Sequence, residues 1–252
     1  VAMNPMEQFE VKPLIEAPLF AIGGHPIYFT NQALFMLIAV GVASLFLTLT
    51  VSKNRLVPSR GQSMAEISYE FVANMINSTM GHDGLKFLPL IFTIFVFVLF
   101  NNFLGLIPWT FTATSQIAIT FTLSSFVILT MVVTGFMKQG LGFLKLFVPS
   151  APWYLLILLV PIEVISFLTR PVSLAVRLFA NMLAGHTLLA VFASFVVLMI
   201  GAGGIMYGVA VAPFVLIVCI YALEMLVAFL QAYVFAVLTC IYLNEAIHHA
   251  NH

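Results

Sequence analysis

Charged side chains are scarce in this 252-residue chain: nine Lys and Arg against nine Asp and Glu, 7% of the sequence. A soluble domain of average composition carries about 25%. Eighteen formal charges and six histidines do not wet the surface of a globule this long, which excludes a soluble enzyme. The two signs balance and no basic stretch stands out, so nucleic-acid binding is excluded as well. Cysteine is nearly absent. Cys219 and Cys240 fall in one apolar run, and as a helix that run puts them about 30 Å apart, beyond disulfide reach. They read as small buried hydrophobes and speak of no oxidised compartment. A cleavable leader is not visible, since Val1 to Pro26 carries Glu7, Glu10, Lys12 and Glu16 with no short apolar segment among them.

What the chain has in abundance is apolar surface. It is 62% hydrophobic with a mean hydropathy of +1.14. Those values exclude disorder. The chain is an integral membrane protein.

A helix needs about 20 apolar residues to cross the bilayer core. Residues 33–50 form a first span, stopped by Lys53, Arg55, Pro58 and Arg60. In 61–86, Met64, Ile67, Phe71, Met75 and Ile76 recur near helical spacing, interleaved with Glu66, Glu70, Asn74 and Asn77, which predicts an amphipathic helix at the membrane surface. Lys86 to Lys138 then encloses 51 residues without a formal charge. Pro108-Trp109 and the polar cluster after it divide this stretch into spans 87–107 and 115–137. Residues 154–200 and 209–247 are too long to stand upright in a ~30 Å core, so each is either broken, with Pro161 and Pro171 as kink points, or steeply tilted. Gly201 to Gly204 and Gly208 make the turn between them. The expectation is an all-α integral membrane protein, a single membrane domain over residues 1–252, ending in a long antiparallel hairpin. Lys53, Arg55, Arg60 and Lys86 lie between spans one and two, and Lys138 and Lys145 follow span three. Those loops face the cytoplasm or matrix, and the N-terminus lies on the other side.

Within this apolar background Glu163, Arg170, Arg177 and Glu224 are out of place. A central arginine costs about 2.5 to 3.5 kcal/mol even on the lenient insertion scale. Glu163, Arg170 and Arg177 are spaced by seven and share one helix face, joined by Asn181; Glu224 and Gln231, also seven apart, share a face of the second long helix. Facing residues of an antiparallel pair have numbers that sum to a constant. Arg177 with Gln231 sums to 408 and His186 with Glu224 to 410, both centred on the glycine turn. Arg177 and His186 are half a turn out of phase, so two polar routes approach from different faces.

The plainer reading of a membrane arginine is a packing partner for one glutamate, and Arg170, beside Pro171, is read that way. Asn101, Asn102 and Gln116 are read as satisfying each other or neighbouring helices. His248, His249 and His252 read as a solvated tail. Arg177 stays protonated and is a fixed positive charge. Glu163, His186 and Glu224 are groups that take up and release protons. A proton path interrupted by a permanent cation needs a mobile acid to carry the proton past it.

Arg170-Pro171-Val172-Ser173-Leu174-Ala175-Val176-Arg177-Leu178-Phe179-Ala180-Asn181-Met182-Leu183-Ala184-Gly185-His186 resembles the signature of the subunit a family of F-type ATP synthases. Leu230 to Phe235, with Leu238-Thr239 and Tyr242-Leu243, is similar to the family's last helix, and Asn101 to Pro108 to its second span. The resemblance covers essentially the whole chain. It implies that Arg177 is the essential charge facing the carboxylate of a c-ring, flanked by Asn181 and Gln231. It implies two half-channels, with Glu163 on the cytoplasmic or matrix side and His186 and Glu224 on the other. Some bacterial relatives carry Glu and His at these last two positions; the exchanged types here are those of mitochondrial-type chains.

The function expected is therefore the proton-translocating stator subunit of the membrane Fo sector, with no bond-making on this chain alone. No cofactor or metal is expected. The expected partners are the c-ring, peripheral-stalk b-type subunits and lipid. The expected location is the bacterial inner membrane, or alternatively the mitochondrial one. The rival reading is a free-standing transporter or channel that binds an anion at Arg177; the lack of an internal repeat counts against it. A haem-binding subunit needs paired axial histidines on facing spans, and only His186 lies deep in an apolar segment.

Overall fold

The computed structural model describes residues 9–14, 20–22, 25–51, 59–107, 110–147 and 152–248. A short antiparallel hairpin, β1 (Phe20–Ile22) against β2 (His25–Ile27), precedes six helices. These are α1 (Asn31–Val51), α2 (Arg60–Met80), α3 (Leu88–Gly105), α4 (Ile117–Gln139), α5 (Trp153–Ala202) and α6 (Met206–His248). Among the described residues five segments are long and apolar enough to cross a membrane: α1, α3 with the 3-10 helix His82–Phe87 ahead of it, α4, α5 and α6. The architecture is the all-α one expected from the apolar runs. The two strands were not expected, because three residues each are too few for an alternating pattern to register.

The surface helix ends earlier than its composition suggests. Ser59 caps the start of α2, its Oγ accepting from the Gln62 amide at 3.4 Å. Ala65, Val72, Met75, Ile76 and Met80 are buried along one face, while Glu66 and Glu70 stay exposed. The helix stops at Gly81, whose N–H bonds the Asn77 carbonyl at 3.1 Å. Lys53, Arg55, Pro58, Pro108, Trp109, His249 and His252 lie outside the described residues.

Of the two possibilities left open for the long segments, the unbroken one holds. The α5 helix runs through Pro161 and Pro171, and α6 through Pro213. A proline removes one helical hydrogen bond, and the helical backbone continues across that loss at all three sites. Fifty and 43 residues extend about 75 and 65 Å, so a ~30 Å core is crossed at a steep tilt. The turn between them rests on Gly203 and Gly204, with φ of 70° and 62°, a region that L side chains avoid.

The chain folds as two compact units that interleave in sequence. One comprises the chain up to Leu45, Phe97–Gln116 and Leu178–Ala232; the other comprises Phe46–Val96, Ile117–Arg177 and the chain from Tyr233 onward. In the first, Leu106, Met182 and Ala228 form a buried cluster with Phe103 and Tyr221 against it, so α5 and α6 pack antiparallel on the end of α3. In the second, Ile128, Met131, Phe143 and Ala246 are buried together with Val132, Phe147, Phe167 and Tyr242 packed around them. This joins α4 and the 3-10 helix Gly140–Phe147 to the start of α5 and the end of α6. Tyr69 on Phe92 and Phe71 on Phe95, with ring centroids 6.0 and 5.9 Å apart, seat α2 on α3.

Candidate functional site

The first unit contains a carboxylate that has no ordinary structural reason to be there. Glu224, on α6, is 5% exposed. Its Oε1 lies 3.5 Å from His186 Nε2 on α5, and among the described residues neither carboxylate oxygen has a hydrogen-bond partner. Room for it comes from Gly185: a Cβ built there would sit 2.6 Å from Glu224 Oε1. The level pairing of His186 with Glu224 expected from the numbering is present, and Met182 and Ala228, whose numbers also sum to 410, share one buried cluster.

The irregular connection between α3 and α4 closes over the imidazole. Thr112 Oγ1 lies 3.1 Å from His186 Nε2 and donates to the Gly105 carbonyl at 3.3 Å. A cavity of about 290 Å³ opens beside the ring, lined by Thr110, Thr112, His186, Leu189 and Tyr221 among others. The Tyr221 hydroxyl donates to the Leu106 carbonyl at 3.1 Å, and Thr110 to Leu104 and Ile107 at 2.6 and 2.7 Å. The N-terminal segment completes the wall. Phe9 meets the His186 ring edge-on with centroids 6.3 Å apart, and its carbonyl accepts from Gln116 Nε2 at 2.8 Å. Asn31 holds this segment down, its N–H on the Lys12 carbonyl at 3.1 Å and its Nδ2 on the Glu10 carbonyl at 3.2 Å.

Of the three polar amides expected to satisfy each other or neighbouring helices, Asn102 alone does so among the described residues. Asn102 donates from Nδ2 to the Ala228 carbonyl at 3.2 Å, crossing from α3 to α6, while Asn101 bonds the Phe97 carbonyl within its own helix at 2.8 Å. Gln116 turns to Phe9.

The second unit carries Arg170, whose guanidinium pairs with Glu245 and lies over the Tyr242 ring, 5.2 Å from its centroid. That is the structural role read for Arg170 from its neighbour Pro171. Glu163 is half-buried on α5, without a partner among the described residues. Arg177 is exposed on the same helix, and no carboxylate among the described residues pairs with its guanidinium. Asn181, one turn along, is exposed too, and Gln231 on α6 is half-buried. Arg177 belongs to the second unit, Asn181 and Gln231 to the first.

Glu245, Thr112, Tyr221 and Phe9 escape the sequence reading. A signal existed for Glu245: it lies three sevens beyond Glu224, on the helix face that also carries Gln231. None existed for Thr112, because a threonine near an apolar helix end is ordinary and its partner is 74 residues away.

Chemically, the first unit offers a cavity large enough for several waters, leading to an imidazole and then to a buried carboxylate, an arrangement suited to passing protons one at a time. Comparisons with known proteins bear on the family of the chain. A family model described as ATP synthase A chain matches residues 33–244. A protein of Mesorhizobium japonicum named ATP synthase subunit a is 55% identical over 247 residues, covering 98% of this chain and 97% of its own length. One of the same name from Allorhizobium ampelinum is 54% identical over 250 residues, 99% of either chain. Another from Bartonella bacilliformis is 53% identical over 248 residues, 98% of this chain and 97% of its own.

Proposed function

Since the chain belongs to the ATP synthase A chain family, a membrane component of the proton-translocating Fo sector, we propose that it is the stator wall along which protons reach and leave a rotating ring of carboxylates. The observation that carries this reading is the His186–Glu224 pair at the inner end of the cavity. With the positively charged loops facing the cytoplasm, the connection between α3 and α4 lies on the opposite side, so the cavity is the entry half-channel from outside. A proton taken up at His186 moves to Glu224, and from there to a ring carboxylate.

Glu163, on the face that carries Arg177, belongs to the exit half-channel. Arg177 is permanently charged and turned outward, with Asn181 one turn away. It draws the incoming ring carboxylate into its anionic form, which releases the proton to the exit side, and it bars direct passage between the half-channels. The partners that follow are the c-ring and b-type stalk subunits, in the bacterial inner membrane. A free-standing anion transporter has no comparable support, since the relatives of nearly equal length are named as ATP synthase subunits.

The test uses the assembled ATP synthase in inner-membrane vesicles. Glu224→Gln, which cannot ionise, is expected to lower proton-driven ATP synthesis by at least about tenfold, equivalent to about 1.4 kcal/mol on the limiting step. Wild-type rates in that variant would remove the entry half-channel from the reading.

A further inference from the structure

We propose that Thr112 is a positioning residue for proton transfer between His186 and Glu224; this rests on the cavity being the entry half-channel. Thr112 is 5% exposed and sits in the connection between α3 and α4, not on either helix that carries the pair. Its hydroxyl has one proton and uses it on the Gly105 carbonyl at 3.3 Å. The oxygen facing His186 Nε2 at 3.1 Å is then an acceptor, so Nε2 carries a hydrogen. That same Nε2 lies 3.5 Å from Glu224 Oε1. Whenever Nε2 carries a hydrogen, the hydroxyl therefore holds that edge of the ring beside the carboxylate.

The other hydroxyls of the cavity wall are engaged elsewhere. Thr110 is held on Leu104 and Ile107, and Tyr221 on Leu106. Among the described residues Thr112 is the one whose side chain meets the imidazole by a hydrogen bond. Its approach depends on Gly105, where a Cβ would sit 2.6 Å from Thr112 Cγ2 and 2.9 Å from Oγ1.

The transfer balances. An imidazolium carrying hydrogens on both nitrogens gives the Nε2 proton to the Glu224 carboxylate, leaving a neutral ring with Nδ1–H and a carboxylic acid. The Thr112 hydroxyl then rotates from Gly105 to donate to the bare Nε2, so the ring keeps its place in both states. Around the ring the titratable groups among the described residues are Glu224 and Tyr221, both from α6. The α3–α4 connection contributes hydroxyls, and the N-terminal segment contributes the Phe9 ring.

The experiment compares Thr112→Val, which keeps the shape and loses the hydroxyl, with Thr112→Ser, which keeps the hydroxyl. Both are made in the complete ATP synthase, reconstituted in vesicles. The readout is ATP-driven proton pumping as a function of pH on the cavity side. Thr112→Val is expected to slow pumping by about tenfold, as for the loss of one hydrogen bond of ordinary strength, and to displace the pH profile, while Thr112→Ser restores most of the rate. In a His186→Ala background Thr112→Val should add less than about twofold, since coupled groups are not additive. If the valine enzyme does not assemble, Thr112→Ala carries the same expectation.

A valine profile superimposable on the wild type overturns the assignment. So does a tenfold loss that persists undiminished on His186→Ala, which would make Thr112 a strut of the connection. Glu224→Gln measured in parallel separates the two readings: normal pumping there sinks the half-channel, whereas a silent Thr112→Val beside an inactive Glu224→Gln sinks Thr112 alone.

Discussion

At the level of single residues, the chemistry divides between groups that titrate and one that does not. Arg177→Ala should abolish proton-driven ATP synthesis in vesicles and open a passive proton leak, measurable as faster collapse of an imposed pH gradient. Arg177→Lys should also fail to support synthesis, because a flexible ammonium does not reproduce the planar fork of the guanidinium. Normal synthesis in either variant would remove the fixed-charge mechanism. Gly185→Ala is a milder intervention with the same target. Its Cβ would come within 2.6 Å of Glu224 Oε1 and displace the carboxylate from His186, so pumping should fall while the complex still assembles. Arg177, His186 and Glu224 were legible in the sequence because ionisable groups stand out against uncharged surroundings. Thr112 and Phe9 were not, since a hydroxyl and a benzyl ring look alike whether they line a proton path or fill a gap.

At the level of elements, the register of α5 against α6 is the quantity that places His186 beside Glu224. Met182 and Ala228 are both fully buried in one cluster, so Met182→Cys with Ala228→Cys, in a background lacking Cys219 and Cys240, should form a disulfide on oxidation. Leu178 with Leu230 is level by the same arithmetic but out of phase, because Leu178 is buried and Leu230 exposed; that pair should close poorly. Cross-links centred a full turn away, near sums of 402 or 416, would contradict the pairing of His186 with Glu224. The existence and order of the helices could be read from apolar runs alone. Whether Pro161 and Pro171 break α5 could not, because a proline removes one hydrogen bond whether the helix ends there or runs on. The end of α2 was also misplaced: Gly81, with φ of 68°, ends it, and a 3-10 helix takes up His82–Phe87.

For the whole molecule, the two-route reading makes a statement about sides. Glu163→Cys and Glu224→Cys, each as the sole cysteine in the assembled enzyme, should react with a water-soluble thiol reagent from opposite faces of the membrane: the first from the cytoplasmic face, the second from the outer one. Labelling of both from one face would leave a single channel. The distribution of charge supports the division, with Arg170 and Glu245 paired in the unit that holds Glu163, and His186 and Glu224 in the other.

The outward-facing guanidinium of Arg177 also bears on how long a copy of this chain survives. Before its partners arrive, α5 presents Arg177 and Asn181 on an exposed face, with no carboxylate among the described residues to neutralise the arginine. Hydrocarbon against that face costs several kcal/mol, so an orphan copy sits uneasily in the bilayer and offers membrane quality-control proteases a distinctive mark. If the ring proposed above is its partner, its steady-state abundance should then follow the supply of that ring more closely than its own rate of synthesis. Pulse-chase measurement with the ring subunit depleted should show a shortened lifetime that Arg177→Leu, by removing the mark, lengthens again.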